Sequence, residues 1–357
     1  MNKVHEFVIT GGPSAGKTTG LTKLEETFSE KGYKVIIVPE TATEVILSGI
    51  TPTELPTFDF QRVIIERGIN KEKTVRKIAP LFDKNVIIFY DRGLLDSKAY
   101  MEHKDFVRIL KSHKMSEIEA RDQYDAVFHL VSAAIGAEQY YTKENNKARR
   151  ENLQEAIEAD KKTRDAWVGH PHLRVIDNST GFNDKIDRLI KEVYASMGIP
   201  TPIETERKFL IKLPSQEQLI ANKCVKSNIV QTYLRRRTPD VERRVRQRGI
   251  DGEFSYYYTE KKKLSECSRD EVERKISKDE YIALLLEATS IVRKDRYCFF
   301  YENQYFELDV YPDWLNGEAI LEIELTEEGQ EVKLPDWITV IKEVTGDENY
   351  SNAKLAK

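Results

Sequence analysis

Near the start of the chain stands the segment Gly11-Gly12-Pro13-Ser14-Ala15-Gly16-Lys17-Thr18. It matches the pattern G-x-x-x-x-G-K-[ST], in which backbone N–H groups of a glycine-rich loop cradle phosphates at the start of a helix. The apolar run at 6–10 predicts a strand before the loop, and the residues after it predict a helix. This setting favours a phosphate-binding loop over an ordinary glycine turn in front of a helix.

The side chains of this segment predict a nucleoside triphosphate, ATP or GTP, bound with Mg²⁺. Lys17 is expected to reach the β- and γ-phosphate oxygens, and the Thr18 hydroxyl to bind the metal ion. The predicted nucleotide-binding residues are Gly11, Gly12, Pro13, Ser14, Ala15, Gly16, Lys17, Thr18 and Thr19. No N-K-x-D guanine motif stands in a suitable loop, so the sequence leaves the base open.

Downstream, short apolar runs alternate with polar segments long enough for crossover helices. The runs cover residues 34–39, 85–90, 125–131 and 173–177. This alternation predicts the parallel α/β sheet of a P-loop NTPase. A last helix over 183–196 precedes the glycine and prolines of residues 198–202, which stop a helix. We therefore expect a nucleotide-binding, kinase-like domain over 1–198 and a second domain over 199–357.

Composition narrows the class of protein. The 357 residues exceed one ordinary core, and 56 basic against 60 acidic residues give no case for nucleic-acid binding. The three cysteines stand far apart, which argues against disulfides and structural zinc and favours a reducing, cytoplasmic location. No run is long and apolar enough for a transmembrane segment.

Two carboxylates are predicted at the carboxyl edge of the first sheet. Asp91 ends the run at 85–90, where a Walker-B-like carboxylate lies near the magnesium ion, although it also suits a helix N-cap. Glu40 follows the run at 34–39 and is a candidate general base or acceptor-orienting group. Exposed carboxylates after strands are common in α/β proteins, so this role stays a hypothesis.

These motifs make the first domain resemble the P-loop kinases of the nicotinamide-riboside-kinase and deoxynucleoside-kinase type, and AAA-like domains. The resemblance rests on Pro39-Glu40-Thr41, Asp91-Arg92-Gly93 and Arg149-Arg150-Glu151. It implies that Arg149 or Arg150 closes over the phosphates as part of a lid, whereas the alternative is a solvated helix face. Gln61 matches a base-reading glutamine only loosely, and no continuous acceptor-binding signature is visible.

Beyond residue 200, charged residues recur at every second position. The sets are Glu204/Glu206/Lys208, Arg235/Arg237, Arg244/Arg246/Arg248, Glu271/Glu273, Lys294/Arg296, Glu307/Asp309 and Glu322/Glu324. In a strand this spacing puts all members of a set on one face. A solvated face explains any single pair, but several strands carry charges of one sign only. We interpret the sets as an inward-facing polar lining that holds water, metal and an anion, because a dry charged interior costs too much free energy.

The order of these sets resembles the CYTH family, the triphosphate tunnel enzymes, over most of residues 202–357. Its E-x-E-x-K signature stands as Glu204-Thr205-Glu206-Arg207-Lys208. The resemblance implies an α+β domain with an antiparallel eight-stranded tunnel barrel that cleaves triphosphates with Mg²⁺ or Mn²⁺. The predicted triphosphate-binding residues are Lys208, Arg244, Arg246, Lys261, Lys294 and Arg296. The predicted metal ligands are Thr18 in the first domain and Glu204, Glu206, Glu271, Glu273, Glu307, Asp309, Glu322 and Glu324 in the second.

The two domains together resemble a family of P-loop plus CYTH proteins that includes the insect photoreceptor translocation-defect type. This resemblance implies two classes of function. One is a metal-dependent triphosphatase or NTPase, with kinase activity also open, whose first domain uses Glu40, Asp91, Arg149 and Arg150. The other is a non-catalytic GTP-binding and phosphoinositide-binding trafficking regulator, in which Lys261-Lys262-Lys263 supports peripheral membrane association or is a solvated patch. The paired carboxylates favour hydrolysis of an inorganic or organic triphosphate.

Overall fold

Two separate sheets organise the chain in the computed structural model, which describes residues 2–141, 152–199, 206–238, 241–250, 252–263, 269–312, 317–325 and 330–357. Only the backbone is described for residues 140, 262, 263 and 269–272. The contacts divide the chain into two compact units, Met1–Met197 and Gly198–Lys357.

The first unit alternates strands and helices. Its strands are β1 (Val4–Gly11), β2 (Lys34–Val38), β3 (Val86–Asp91), β4 (Ala126–Leu130) and β5 (Leu173–Ile176). Its helices are α1 (Lys17–Glu30), α2 (Thr41–Leu47), α3 (Thr57–Ile78), α4 (His103–Ser112), α5 (Glu117–Arg121), α6 (Leu153–Ala166) and α7 (Phe182–Ser196). Each predicted strand is present, with ends that differ by one or two residues.

These strands form a parallel sheet in the order β2-β3-β1-β4-β5. Helices cover both faces, and the central strands are therefore continuous apolar runs, as parallel sheets require. Phe7, Phe89 and Phe128 lie on adjacent strands and pack ring against ring at centroid distances of 6.0 and 5.7 Å. The order reverses at β1, and the carboxyl end of that strand is where such a sheet binds its ligand. The predicted parallel α/β sheet is confirmed.

Beneath the central strands, α3 buries a carboxylate. Glu72 accepts hydrogen bonds from Tyr124 Oη at 3.0 Å and from Arg76 Nη2 at 3.2 Å. Arg76 also bonds Glu6 at 2.6 Å. Burial raises the pKa of Glu72 to about 7, against the opposing effects of Arg76 and Tyr124. The folded protein therefore keeps a proton on Glu72 at pH values where the unfolded chain has lost it.

The free energy of unfolding of the first unit is expected to decline as the pH rises from about 4 to 7. The unfolded carboxyl group releases its proton near pH 4.3, and the folded state holds more protons between these values, which lowers stability with rising pH. Glu72→Gln should remove this part of the decline. Urea unfolding of the full chain at pH 5–8, with protease protection of β1 and β3 peptides as the readout, measures it. A decline of equal size in the variant contradicts the assignment.

The second unit consists mostly of long strands. They are β6 (Glu206–Lys212), β7 (Val225–Leu234), β8 (Val241–Ile250), β9 (Glu253–Lys263), β10 (Arg269–Ile276), β11 (Ala288–Tyr301), β12 (Gln304–Val310), β13 (Glu318–Glu324) and β14 (Val340–Glu343). Its helices are α8 (Gln216–Ala221), α9 (Lys278–Leu284) and α10 (Asn352–Leu355). α9 ends at Leu284, and the chain from Ala288 pairs with β7 as a strand.

The strands form one antiparallel sheet in the order β10-β9-β8-β7-β11-β12-β13-β6-β14. The predicted antiparallel second sheet is confirmed. It contains nine described strands instead of eight, since the short β14 adds to the edge of β6. One face carries an apolar cluster that includes Phe209, Phe299 and Leu321 and packs against Leu219 of α8. The opposite face carries the charges and is described with the site below.

The segment 347–357 packs against one end of the charged face. Leu355 lies in an apolar cluster with Leu210, Val292 and Ile320, which come from three different strands. Backbone hydrogen bonds join Ile291 and Lys357 in both directions, at 2.7 and 3.0 Å. This end of the charged face is therefore covered by apolar side chains, and the charges continue toward the other end.

Candidate functional sites

The P-loop connects the carboxyl end of β1 to the first turn of α1. Gly11 has φ +144° and Gly16 has φ +89°, values that residues with a Cβ rarely adopt. A Cβ at position 11 would also lie 2.1 Å from the carbonyl oxygen of Leu130. Glycine is therefore what allows the loop to lie this close to β4.

The carbonyl groups of residues 13–16 are held from the protein side. The hydrogen bonds run from Ser132 Oγ to Pro13 O, from Ala133 N to Ser14 O (3.3 Å), from Lys185 Nζ to Ala15 O (3.2 Å) and from Gly20 N to Gly16 O (2.9 Å). Because each peptide group is planar and trans, its N–H points away from its C=O. The N–H groups of residues 14–17 therefore face the other way and form a concave set of donors, the geometry that binds phosphate.

Lys17 stands at this concave surface. Its Nζ donates to the carbonyl oxygen of Gly11 at 3.4 Å. This hydrogen bond is long, so a phosphate oxygen can take the place of the carbonyl as the acceptor. Burial and the nearby Arg92 lower the pKa of Lys17 to about 8, against the opposing charges of Asp91 and Glu40. The Thr18 and Thr19 side chains are exposed on the first turn of α1, where a bound ion or phosphate can reach them.

Asp91 ends β3 and lies next to β1 through the pairing of Ile9 with Asp91. Its Oδ1 atom is buried and has no hydrogen-bond partner among the described residues. Burial raises the pKa of Asp91, and the attraction of Lys17 opposes the increase. A buried, unpartnered carboxylate oxygen beside the P-loop lysine fits a divalent cation, since such ions prefer oxygen ligands.

Glu40 follows β2 and forms an ion pair with Arg92 at 2.6 Å. Thr43 donates a further hydrogen bond to Glu40 at 2.7 Å. Burial raises the pKa of Glu40, but Arg92 and Lys17 outweigh it, so the pKa lies below its usual value. Glu40 is therefore a carboxylate ion that is already oriented toward the phosphate-binding edge.

Sequence reasoning missed Asp96, which organises this edge. It lies on a 3₁₀ turn, Leu94–Tyr100, and accepts bonds from Arg92 Nη1 (3.2 Å), the Gly93 amide (2.9 Å), the indole of Trp167 (3.2 Å) and the Thr10 hydroxyl. Arg92 and Gly93 are close to Asp96 in the sequence, but Thr10 and Trp167 come from distant segments, so the sequence does not reveal the whole set of contacts. Gln61 is buried on α3, and Arg149 and Arg150 lie outside the described residues.

In the second unit, strand pairing brings the alternating charges to one face. Directly paired residues share a face of the sheet. The pairs are Lys208 with Glu322, Glu206 with Glu324, Glu322 with Glu307, Asp309 with Arg296, Arg244 with Thr259, Thr259 with Glu273, and Lys261 with Glu271. β7 links the two halves, since Gln231 pairs with both Arg246 and Val292. We call these residues the charged face.

Part of the charged face is buried, since Lys294, Arg248 and Asp309 show exposures of 5%, 2% and 0%, whereas Glu324 on β13 is exposed. A flat sheet with one free side would leave such side chains in water. Their burial agrees with a sheet that curves around them, as in a tunnel-type domain. At one end the segment 347–357 adds to the cover, since Asn352 contacts Lys294.

Arg296 lies at the centre of an ion-pair cluster on this face. Its Nη2 atom is 2.6 Å from Asp309 Oδ2 and 3.0 Å from Glu322 Oε2, and its Nη1 atom pairs with Glu307. Lys294 Nζ lies 2.5 Å from the same Asp309 carboxylate. Arg296 and Lys294 hold the pKa of Asp309 below its usual value although burial opposes this. Both oxygens of Asp309 are thus engaged by cations.

Lys208 bridges two neighbouring strands. Its Nζ lies 3.0 Å from Glu206 Oε1 and 3.3 Å from Glu322 Oε1. Burial lowers the pKa of Lys208, but the two carboxylates outweigh burial and raise the pKa above its usual value. Lys208 is therefore protonated at neutral pH, and the two carboxylates beside it can also bind a metal ion.

A second cluster lies on β8, β9 and β10. Arg246 Nη2 is 2.7 Å from Glu273 Oε1, and Thr259 donates to the other oxygen of Glu273 at 2.8 Å. The Arg246 guanidinium also lies over the ring of Tyr257, 5.1 Å from its centroid. Glu273 contacts Arg246 and Thr259, whereas Glu322 contacts Lys208 and Arg296, so these two predicted metal ligands belong to different ion-pair clusters.

Glu206, Glu307, Glu322 and Glu324 come together on β6, β12 and β13. Burial and the neighbouring carboxylates Glu324, Asp309 and Glu322 raise the pKa of Glu307 although Arg296 opposes this. Carboxylates crowded in this way repel each other, and a divalent cation relieves the repulsion. Among the described residues no set of three His, Cys, Asp or Glu side chains already has metal-binding geometry. Glu204 and the Glu271 side chain lie outside that search.

A parallel sheet of order β2-β3-β1-β4-β5 with a P-loop after β1 defines a P-loop nucleotide-binding domain. A comparison with family models agrees, since the model described as "AAA domain" matches residues 6–185, just over half of the chain. The chain belongs to this family. The predicted AAA-like P-loop domain is therefore confirmed.

The chain is also similar to inorganic triphosphatases. It is 38% identical over 103 residues to the inorganic triphosphatase of Acetivibrio thermocellus, which covers 28% of this chain and 65% of that relative. The chain thus spans just under two thirds of the length of this curated relative.

Two solved structures also resemble the chain. The crystal structure of the inorganic triphosphatase NE1496 shares 30% identity and a TM-score of 0.33, with 43% of this chain and 95% of that chain covered. The PH1819 protein from Pyrococcus horikoshii OT3 shares 21% identity and a TM-score of 0.26, with 34% and 80% covered. TM-scores of this size do not establish a shared fold, so the likeness to triphosphatases rests on sequence.

Within the part of the chain that the structure covers, every helix is too short or too polar to cross a membrane.

Proposed function

We propose that this protein binds phosphate compounds at two sites, a magnesium nucleoside triphosphate at the P-loop and a triphosphate on the charged face, and that the charged face hydrolyses its ligand. The observation that carries the proposal is the interleaving of carboxylates with Lys208, Lys294 and Arg296 on one partly buried face. Such a face offers ligands for metal ions and donors for phosphate oxygens at the same place. The sequence similarity to an inorganic triphosphatase supports the same reading.

At the P-loop, the N–H groups of residues 14–17 would bind the phosphates and Lys17 would neutralise their charge. The Thr18 hydroxyl and the free oxygen of Asp91 would hold Mg²⁺, which supplies further charge neutralisation when bound. Arg92 fixes the Glu40 carboxylate at 2.6 Å. Glu40 would then orient either a water molecule, as in an NTPase, or the hydroxyl of an acceptor, as in a kinase. The nucleotide is ATP or GTP.

On the charged face, basic and acidic side chains would have different roles. Arg296, Lys294 and Lys208, together with Arg244, Arg246 and Lys261, would bind the oxygens of the triphosphate. Glu206, Glu307, Glu322 and Glu324 would hold Mg²⁺ or Mn²⁺, which polarises the phosphate and activates water when bound. Asp309 would act on its neighbours, because it keeps Arg296 and Lys294 charged and aligned.

The resemblance to the translocation-defect type leaves a non-catalytic phosphoinositide-binding regulator as the alternative. That function needs the basic side chains but gives no role to four carboxylates gathered on β6, β12 and β13. Catalysis on the charged face uses both kinds of group, and it is therefore the better supported proposal.

A substrate panel tests the proposal. With Mg²⁺ or Mn²⁺, the purified full chain is expected to release phosphate from tripolyphosphate, and chelation of the metal should stop the release. Parallel assays contain ATP, GTP, thiamine triphosphate and nucleoside acceptors, with all products resolved. A phosphorylated acceptor assigns a kinase to the P-loop unit, whereas free phosphate assigns an NTPase. Binding to phosphoinositide vesicles without hydrolysis of any triphosphate would overturn the proposal in favour of the regulator.

A further inference from the structure

We infer that Asp160 and Lys185 are positioning residues of the P-loop. Asp160 accepts from the Gly12 amide and Lys185 donates to the Ala15 carbonyl, and together these contacts orient the loop peptides for phosphate binding. This inference rests on the proposed nucleotide site. Neither residue belongs to the P-loop motif, since Asp160 lies on α6 and Lys185 on α7.

Asp160 holds the start of the loop. Its side chain is buried, and Oδ1 accepts hydrogen bonds from the Gly12 amide at 2.9 Å and from the Ser132 amide at 2.8 Å. The other oxygen lies 3.2 Å from His129 Nε2. Burial raises the pKa of Asp160, but His129 and the two amides outweigh it, so the group stays ionised. A buried carboxylate with this many donors fixes the direction of each peptide that it binds.

The contact between Asp160 and the loop also explains a glycine that the motif does not require. Position 12 is a free position in G-x-x-x-x-G-K-[ST], and Gly12 does not have a positive φ. A Cβ at position 12 would lie 2.7 Å from the Cβ of Asp160, closer than real carbon atoms approach. Gly12 is therefore the residue that lets the Asp160 carboxylate reach the backbone.

Lys185 holds the other side of the loop. Its ammonium group is 2% exposed and donates to Ala15 O at 3.2 Å, to Val131 O at 2.6 Å and to Asn178 Oδ1 at 2.7 Å. These acceptors are neutral oxygens, so the group satisfies its hydrogen bonds without a direct carboxylate partner. A buried ammonium group carries a large desolvation cost. The ammonium group lies against the P-loop, where it fixes the direction of the Ala15 carbonyl.

The polarity of the two contacts gives them their role. Lys185 keeps the Ala15 carbonyl on the protein side, and the following N–H, that of Gly16, then faces the phosphates. If this peptide rotated, its carbonyl oxygen would face the phosphates and repel them. Rotation is easy beside a glycine, and Gly16 is the next residue. Asp160 fixes the preceding part of the loop by taking the Gly12 amide, so the donor set begins beyond residue 12.

Four variants of the full chain test the inference, with affinities for MgATP and MgGTP measured by calorimetry. Asp160→Ala and Lys185→Met are expected to weaken binding by about 10- to 100-fold, because each frees a peptide that a buried charge now holds. Asp160→Asn keeps an oxygen for the two amides and should bind within about threefold of the wild type. Lys185→Arg, which keeps the charge but not the shape, should fall between Lys185→Met and the wild type.

Two control variants come from the same helices. Thr163→Val removes a buried α6 hydroxyl that has no hydrogen-bond partner among the residues the structure describes, and Lys191→Met removes an exposed α7 lysine. Both should bind nucleotide as the wild type does. Melting temperatures, recorded for every variant, separate a loss of stability from a loss of positioning.

The ratio of ADP to AMP affinity provides a readout that a purely structural role does not move. The loop cradles the phosphate that AMP lacks, so a misdirected peptide lowers the ratio, whereas general loosening lowers both affinities alike. Wild-type affinity and an unchanged ratio in folded Asp160→Ala and Lys185→Met would overturn the inference. If Asp160→Ala does not fold, Lys185→Met and Asp160→Asn decide. A wild-type protein that binds neither nucleotide would instead refute the proposed nucleotide site.

Discussion

Glu322→Gln is expected to lower the rate of phosphate release from tripolyphosphate by about 100- to 1000-fold. Glu322 pairs with Lys208 at 3.3 Å and Arg296 at 3.0 Å, and it stands among the carboxylates proposed to bind metal. The glutamine keeps the shape of the side chain but removes its charge. A weaker metal site and the loss of one carboxylate partner each from Lys208 and Arg296 should both lower the rate. Steady-state kinetics over a range of Mn²⁺ concentrations measures the loss, and part of it should recover at high metal concentration.

Glu343→Gln is the matched control for this variant. Glu343 is also a strand glutamate paired with an arginine, 2.7 Å from Arg207, but it lies on β14 and is exposed. Its loss should leave hydrolysis unchanged. Equal activity in Glu322→Gln and the wild type would contradict the assignment of hydrolysis to the charged face.

Lys17→Ala is expected to weaken binding of MgATP and MgGTP by about 100-fold or more, because it removes the cation at the β- and γ-phosphates. The wild-type affinity should also decline as the pH rises through about 8, where the Lys17 ammonium loses its proton, since only the protonated form attracts the phosphates. The variant should lack that part of the pH dependence. Calorimetry at pH 6.5, 7.5 and 8.5 tests both statements.

Lys23→Ala supplies the control, because Lys23 is an exposed lysine of the same helix that pairs with Glu26 in a surface contact of 2.7 Å. Lys17→Ala should also keep its release of phosphate from tripolyphosphate, and Glu322→Gln should keep its nucleotide affinity. Unchanged nucleotide binding in Lys17→Ala would refute the P-loop site. Loss of tripolyphosphate hydrolysis in that variant would refute two independent sites.

The sequence predicts those features that repeat at short spacing. Glycines, a lysine and a threonine within residues 11–18 are enough for the P-loop, because one continuous segment makes the whole phosphate cradle. The five strands are equally visible, since a parallel strand buried on both faces is a continuous apolar run. The alternating charges also reveal their common face, because side chains in a strand repeat with period two.

What the sequence does not predict depends on contacts between distant segments. Asp160 bonds Gly12, 148 positions away, and nothing near either residue signals the contact. Asp309 stays a predicted metal ligand, because period two shows only which face of the sheet it occupies. It does not show that Arg296 and Lys294 engage both of its oxygens. The ninth strand was missed because β14 is an edge strand of four residues with exposed side chains.

On the charged face, acidic and basic side chains interleave and largely neutralise each other before any ligand arrives. A triphosphate that entered alone would leave several negative charges uncompensated in a buried region, and a divalent cation that entered alone would leave an excess of positive charge. When both are present, the charge of the divalent cation offsets part of the charge of the triphosphate. Each ligand should therefore raise the affinity of the other by the same factor, so that an apparent metal affinity has meaning only at a stated triphosphate concentration.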